Sequence, residues 1–196
     1  YGHYGLFPNY AALFTQDAEY NEEIIADCEY APKVRVWEDM FNMAPLSVGA
    51  RLNEIAPTQS LVDVFLMLDG QTAEQSPLYD ASMPYANRDP RLTATVVYDG
   101  YRWSDNVDDG TKDKIIYTNP DALDKTDAFA GLNKNQTPTG YYVRKYYDAK
   151  HEQRMQSSIN IITMRYADVL LMYAETMNEQ GKMNREVWNK TIRAIR

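Results

Sequence analysis

The sequence predicts a mainly α fold with small β elements, an α+β class, and three observations carry that prediction. From Met164 to Arg196, apolar residues recur at helical spacing in two stretches separated by Gly181. Elsewhere only short segments are rich in β-branched and aromatic residues, and turn signals bound them. Between these run long stretches without a sustained period that still carry Trp, Phe and Met, so they read as apolar-rich loops rather than disorder.

Taken in order, residues 4–30 read as a helix and then a strand. Tyr10, Leu13 and Phe14 share a helical face, Asn21-Glu22-Glu23 forms a junction, and Ile24 to Tyr30 is the strand. Cys28 has the parity of Ile24 and Ala26, which predicts a buried, inert thiol. Residues 31–57 form a long loop interrupted by Pro32, Pro45 and Pro57. Thr58 or Ser60 caps a helix through Leu61, Val64, Phe65 and Leu68, with Gly70 as its stop. Asn87 to Arg91 is a turn leading into a strand over Leu92–Tyr98, closed by Asp99-Gly100, and Tyr101-Arg102-Trp103 pairs back on it as a hairpin. Residues 104–140 are polar, acidic and irregular, and Tyr141 to Tyr147 is a last strand.

The end of the chain is an αα-hairpin. Tyr166, Val169, Leu170, Tyr173, Ala174 and Met177 form one stripe, Gly181 stops the helix, and a second runs from Asn184 through Val187, Trp188, Thr191 and Ile195. Ala174 and Gly181 stand seven apart, as the small residue and turn glycine do in the tetratricopeptide repeat of about 34 residues. A lone repeat cannot bury its face. Because the chain starts at Tyr1 rather than Met and stops inside a helical pattern, we expect a segment truncated at both ends, with 1–163 a mixed loop, hairpin and helix region and 164–196 the helical hairpin.

Composition narrows the function. The chain has 196 residues, 44% apolar and 24% charged, enough for a core without disulfide or metal, and its one cysteine forms no internal disulfide. Its 28 acidic against 20 basic residues give a net charge of −8 with no basic stripe, which argues against nucleic acid as a partner. The longest apolar run, Val169 to Ala174, falls far short of the roughly 20 residues of a membrane span. With 16 Tyr and 3 Trp against 5 Phe, the aromatics are biased toward side chains with a flat apolar face and a polar tip, the chemistry that stacks on a sugar ring; half-buried packing is the plainer role for any one of them.

No catalytic constellation emerges. His3 and His151 lie far apart, and Met155 stands where a zinc-protease helix needs its second histidine. Asp105, Asp108, Asp109 and Asp113 crowd Gly110, yet Val107 and Ile116 occupy ligand places of a roughly 12-residue calcium loop, so a solvated acidic loop is the better reading. Arg88, Asp89 and Arg91 read as a turn with ion pairs. We therefore expect no catalytic residue, no metal and no cofactor.

Several segments, in order, resemble the C-terminal region of the SusD/RagB family. They are Asn21-Glu22-Glu23-Ile24-Ile25, Pro57 to Phe65 with Asp69-Gly70, Asn87 to Leu92, Gly140 to Lys145, and Arg165 to Glu175 with Asn178-Glu179. The resemblance implies one SusD/RagB-like domain spanning 1–196, with a tetratricopeptide-like helical scaffold and a loop-rich, mixed ligand-binding face. It implies a cell-surface, nutrient-binding outer-membrane lipoprotein that is not an enzyme and captures glycan, or in some branches peptide. A TonB-dependent, SusC-like transporter is the implied partner, and the membrane is met only through an N-terminal lipid outside this segment. The matched motifs look structural, so ligand residues do not carry over. From the residues themselves we single out Trp37 and Phe41 in the 31–57 loop, with Tyr101 and Trp103 at the hairpin tip, as ligand contacts, because aromatics in irregular segments are where a scaffold presents them. The alternatives are a carbohydrate-active enzyme using two carboxylates, such as a glycosidase, and a tetratricopeptide adaptor that binds protein.

Overall fold

The computed structural model describes residues 3–104, 113–130, 134–150 and 155–196. In chain order its elements are β1 (Ile24–Cys28), α1 (Met40–Met43), α2 (Gln59–Asp63), α3 (Pro90–Thr95), β2 (Val96–Val97), β3 (Tyr101–Trp103) and β4 (Lys114–Ile116). There follow β5 (Tyr142–Val143), β6 (Ile161–Arg165), α4 (Tyr166–Glu179), α5 (Arg185–Lys190) and α6 (Ile192–Ile195). The α+β class holds, and every described sheet is a two-stranded antiparallel pair: β1 with β6, β2 with β5, β3 with β4.

The chain forms two compact units, one of residues 1–31 with 159–196, the other of residues 32–158. In the first, the expected early helix is instead two 3₁₀ turns, Ala12–Phe14 and Gln16–Ala18, because Thr15 between them is extended. They still bury Leu13 and Phe14. Register shifts interrupt the alternation of β1, so Ala26 is exposed and Cys28 only half-buried, where strict parity predicts a buried thiol. Its partner β6 runs straight into α4, and Asp168 closes that junction by accepting the Arg165 backbone N–H at 2.9 Å. The buried Glu23 accepts from the Arg165 guanidinium at 3.0 Å and from the Phe7 amide at 2.7 Å.

α4 ends in a Schellman turn: the Lys182 amide donates to the Met177 carbonyl and the Gly181 amide to that of Asn178, with Gly181 at φ +66°. Beyond it the expected second helix is broken in two. Thr191 sits at φ −117°, ψ −92°, fully buried, with its hydroxyl donating to the Val187 carbonyl, and so ends α5 and starts α6. Ala167 and Ala174 are the buried positions of α4, which packs against α5 and α6; across the turn Val187 in α5 and Thr191 between the two helices are buried. Ala174→Trp is expected to cost about 1–3 kcal/mol by overpacking, read as a lower denaturation midpoint; an unchanged midpoint contradicts this close approach.

In the second unit, the strand expected at 92–98 is mostly helix. Asp89 accepts the Arg91 amide at 3.0 Å as N-cap and Pro90 occupies the first turn, so the Asp-Pro pair opens α3. Leu92 and Val96, four apart, are both fully buried. β2 keeps only Val96 and Val97 of the expected strand and pairs with β5, which leaves β3 to pair with β4 rather than fold back on 92–98. The strand expected over 141–147 is confined to β5, and Tyr146 at φ +63° lies beyond its end. Likewise α2 stops at Asp63 instead of Leu68. The Arg88 guanidinium takes up the carbonyls of Val62 and Phe65, and Gly70, at φ +84°, serves a later turn. Within the 31–57 loop, α1 and the 3₁₀ turn Leu46–Val48 are single turns in an otherwise irregular path.

β2 joins two apolar clusters. Val97 belongs with Met40, Tyr101, Trp103, Ile116 and Tyr142, while Val96, on the opposite face, packs with Val62, Leu92 and Tyr141.

Candidate functional site

A continuous run of aromatic rings leads out of this core. Trp103 lies edge-on to Tyr147 at 4.6 Å and next to Tyr101 at 6.1 Å. Tyr101 meets Tyr98 at 5.4 Å, Tyr98 stacks on Tyr85 at 4.1 Å with the planes 21° apart, and Tyr85 meets Tyr141 edge-on at 6.3 Å. Tyr101, Trp103, Tyr141 and Tyr147 are buried, and the outer pair, Tyr85 and Tyr98, is half-buried, packed against the core on one side.

That outer pair stands in an open groove of about 670 Å³ within the second unit. Met83 and Pro84 add apolar surface to it; Asp99, Asn119 and Thr139 add polar groups. Local turns set this wall. Between Tyr98 and Tyr101 the chain reverses through Gly100 at φ +77°, with the Tyr101 amide donating to the Tyr98 carbonyl at 3.0 Å. Backbone conformation rather than space demands glycine there, since a Cβ would meet nothing within 4 Å. The same turn lifts Asp99, whose Oδ1 accepts the amides of Thr118 and Asn119, both at 2.8 Å. On the other side, the buried Thr137 hydroxyl donates to the Tyr141 carbonyl at 2.6 Å and closes the loop that carries Gly140.

Hydroxyl groups tie the rings in place. Tyr141 donates to Gln59 Oε1 at 2.6 Å, Tyr85 and Tyr141 hydroxyls are 3.3 Å apart, and Tyr98 meets the Thr93 hydroxyl at 3.0 Å. Tyrosine is neutral at physiological pH in any case, and burial, followed by the Tyr141 hydroxyl, pushes the Tyr85 phenol further above its ordinary pKa. The wall is therefore a rigid, uncharged aromatic shelf beside one anchored carboxylate. Such a surface can stack an apolar ring face while bonding hydroxyls at its edge.

The four residues singled out in the sequence fall elsewhere. Tyr101 and Trp103, expected exposed at a hairpin tip, are 7% and 3% exposed, because the alternation of β3 turns both into the core and leaves Arg102 outside. Trp37 and Phe41 are half-buried against that same core, and Trp37 forms a backbone bridge to Ser157, with both N–H···O distances 2.9 Å. None of the four lines the groove. The sequence signal for the observed wall was Tyr98-Asp99-Gly100-Tyr101, a turn flanked by aromatics, which reads at first as the end of a strand.

No group of three His, Cys, Asp or Glu among the described residues is placed to hold a metal. Of the acidic cluster, Asp105, Asp108 and Asp109 lie outside the described residues, as does His151, and Asp113 pairs with Arg102. Nor is any described helix long and apolar enough to cross a membrane.

A model of the SusD family matches residues 36–196. Among solved structures, a SusD-like carbohydrate-binding protein of Bacteroides fragilis is similar with a TM-score of 0.82 at 24% identity, over 98% of this chain and 37% of its own. Another SusD-like protein of Bacteroides fragilis gives 0.70 at 24% identity over 98% and 40%, and a SusD superfamily protein of Bacteroides vulgatus 0.51 at 24% over 91% and 32%. The chain thus spans about two fifths of the length of the first two. A search of curated proteins found no match.

Proposed function

Because the chain belongs to the SusD family, we propose that it forms part of a non-catalytic, cell-surface glycan-binding protein whose sugar sits on the Tyr85–Tyr98 shelf. The observation that carries this reading is the stacked pair itself, 4.1 Å between ring centres, set in a groove beside the Asp99 carboxylate and the Asn119 amide. Tyr101 and Trp103 support the shelf from beneath rather than touch the ligand. A carbohydrate-binding relative in Bacteroides fragilis with the same fold is in keeping with a glycan ligand. In the complete protein the bound glycan passes to a TonB-dependent, SusC-like transporter, and a lipid outside this segment holds the protein on the outer membrane.

Glycoside hydrolysis needs two carboxylates about 5–9.5 Å apart. Asp99 is the one carboxylate among the described residues of the groove, and backbone amides engage its Oδ1. Incubation with polysaccharide is accordingly expected to leave chain length unchanged; shortened products contradict the non-catalytic reading.

Calorimetric titration with oligosaccharides tests the site. Tyr85→Ala is expected to weaken binding by roughly 1–3 kcal/mol, the cost of truncating a central binding aromatic, and, because the ring also packs on Tyr98 and Tyr141, to lower stability by about 1–3 kcal/mol. Trp37→Ala, by contrast, removes a half-buried packing residue, which is expected to lower stability by about 1–3 kcal/mol and leave affinity intact. The reverse pattern would move the platform to the 31–57 loop.

A further inference from the structure

The groove carries a charge asymmetry that fixes which glycans it takes. Asp99 is the sole charged side chain among its described lining residues, which include no Lys, Arg or His. Its position is held by the backbone, since Oδ1 accepts two amides at 2.8 Å, while Oδ2 has no hydrogen-bond partner among the described residues. A carboxylate so oriented accepts hydroxyl donors and repels a second carboxylate or a sulfate. The shelf beside it consists of neutral phenols and makes no cationic contact. The chain as a whole adds to that repulsion, with a net charge of −8.

Resting on the groove as the glycan site, we infer that the protein selects neutral glycans and discriminates against uronic-acid and sulfated ones, with Asp99 as the residue that sets the selectivity. A sugar ring on Tyr85 presents its hydroxyl edge to Asp99 and Asn119. An acidic substituent on that edge meets the like charge of the carboxylate at close range, where the two repel.

Matched oligosaccharides that differ only at C6 isolate the effect: glucan, galactan and mannan against glucuronan, galacturonan and mannuronan, titrated into the intact protein. The neutral member of the pair that binds is expected to bind about tenfold more tightly than its acidic counterpart at low salt. That ratio is expected to shrink when ionic strength rises from about 0.02 M to about 0.5 M, since the Debye length falls from roughly 20 Å to a few ångströms. Asp99→Asn keeps an Oδ1 for both backbone amides and removes the charge, so the ratio is expected to fall several-fold and lose most of its salt dependence. Glu175→Gln changes net charge equally on an exposed helix face of the other unit and is expected to leave the ratio unchanged. Equal binding of neutral and acidic partners, or a ratio indifferent to both salt and Asp99→Asn, overturns the selectivity. If Tyr85→Ala leaves neutral binding untouched, the groove itself is misassigned, and the selectivity falls with it.

Discussion

Replacing Trp103 by Ala is expected to lower folding stability by about 3–5 kcal/mol, the cost of emptying a large aromatic site in a packed core. The ring is 3% exposed, meets Tyr147 edge-on at 4.6 Å, and has the Arg144 guanidinium 4.5 Å above it. Its loss removes apolar burial and the cation–π contact together, and it takes away the support of Tyr101, which in turn braces Tyr98. Urea unfolding is expected to show a lower midpoint at constant slope, with glycan affinity reduced in the folded fraction. A loss below about 1 kcal/mol would show that Trp103 is not a core residue.

Replacing Arg88 by Met is expected to cost about 3 kcal/mol, because three backbone carbonyls lose charged donors at once. The guanidinium donates to Val62 at 2.8 Å, to Phe65 at 2.7 and 3.1 Å, and to Pro84 at 3.3 Å, while the residue is only 8% exposed. It thereby fastens the end of α2 to the residue preceding Tyr85. Methionine keeps most of the apolar stem, so the loss reports on the hydrogen bonds. Arg88→Lys is expected to recover little, since a single ammonium does not reproduce the planar fork. Both stability by denaturation and affinity by calorimetry are expected to fall. Retained stability in Arg88→Met would mean that water replaces the fork without cost.

The contrast between Trp103 and Tyr85 shows what the sequence discloses. The α4 helix, its glycine stop and the tetratricopeptide-like pairing follow from local spacing, and the structure has them. β6 escaped notice because its partner β1 is more than a hundred residues away, and such pairing leaves only a weak local mark. The segment at 92–95 misled for another reason: β-branched Thr93 and Thr95, running into Val96-Val97, suggest strand, yet the Asp89 cap and Pro90 decide the backbone. The aromatic bias pointed to a stacking surface in general. Which rings face the groove depends on β3 pairing with β4, so Trp103 and Tyr101 turn inward while the half-buried Tyr85 and Tyr98 line the groove.

The crystal structure of the protein with its tightest-binding neutral oligosaccharide tests the glycan-shelf reading most directly. The account predicts a sugar ring lying flat on Tyr85 within about 4 Å, an ordinary packing distance, with hydroxyls donating to Asp99. A sugar bound away from this groove, with Tyr85 and Tyr98 untouched, would contradict it.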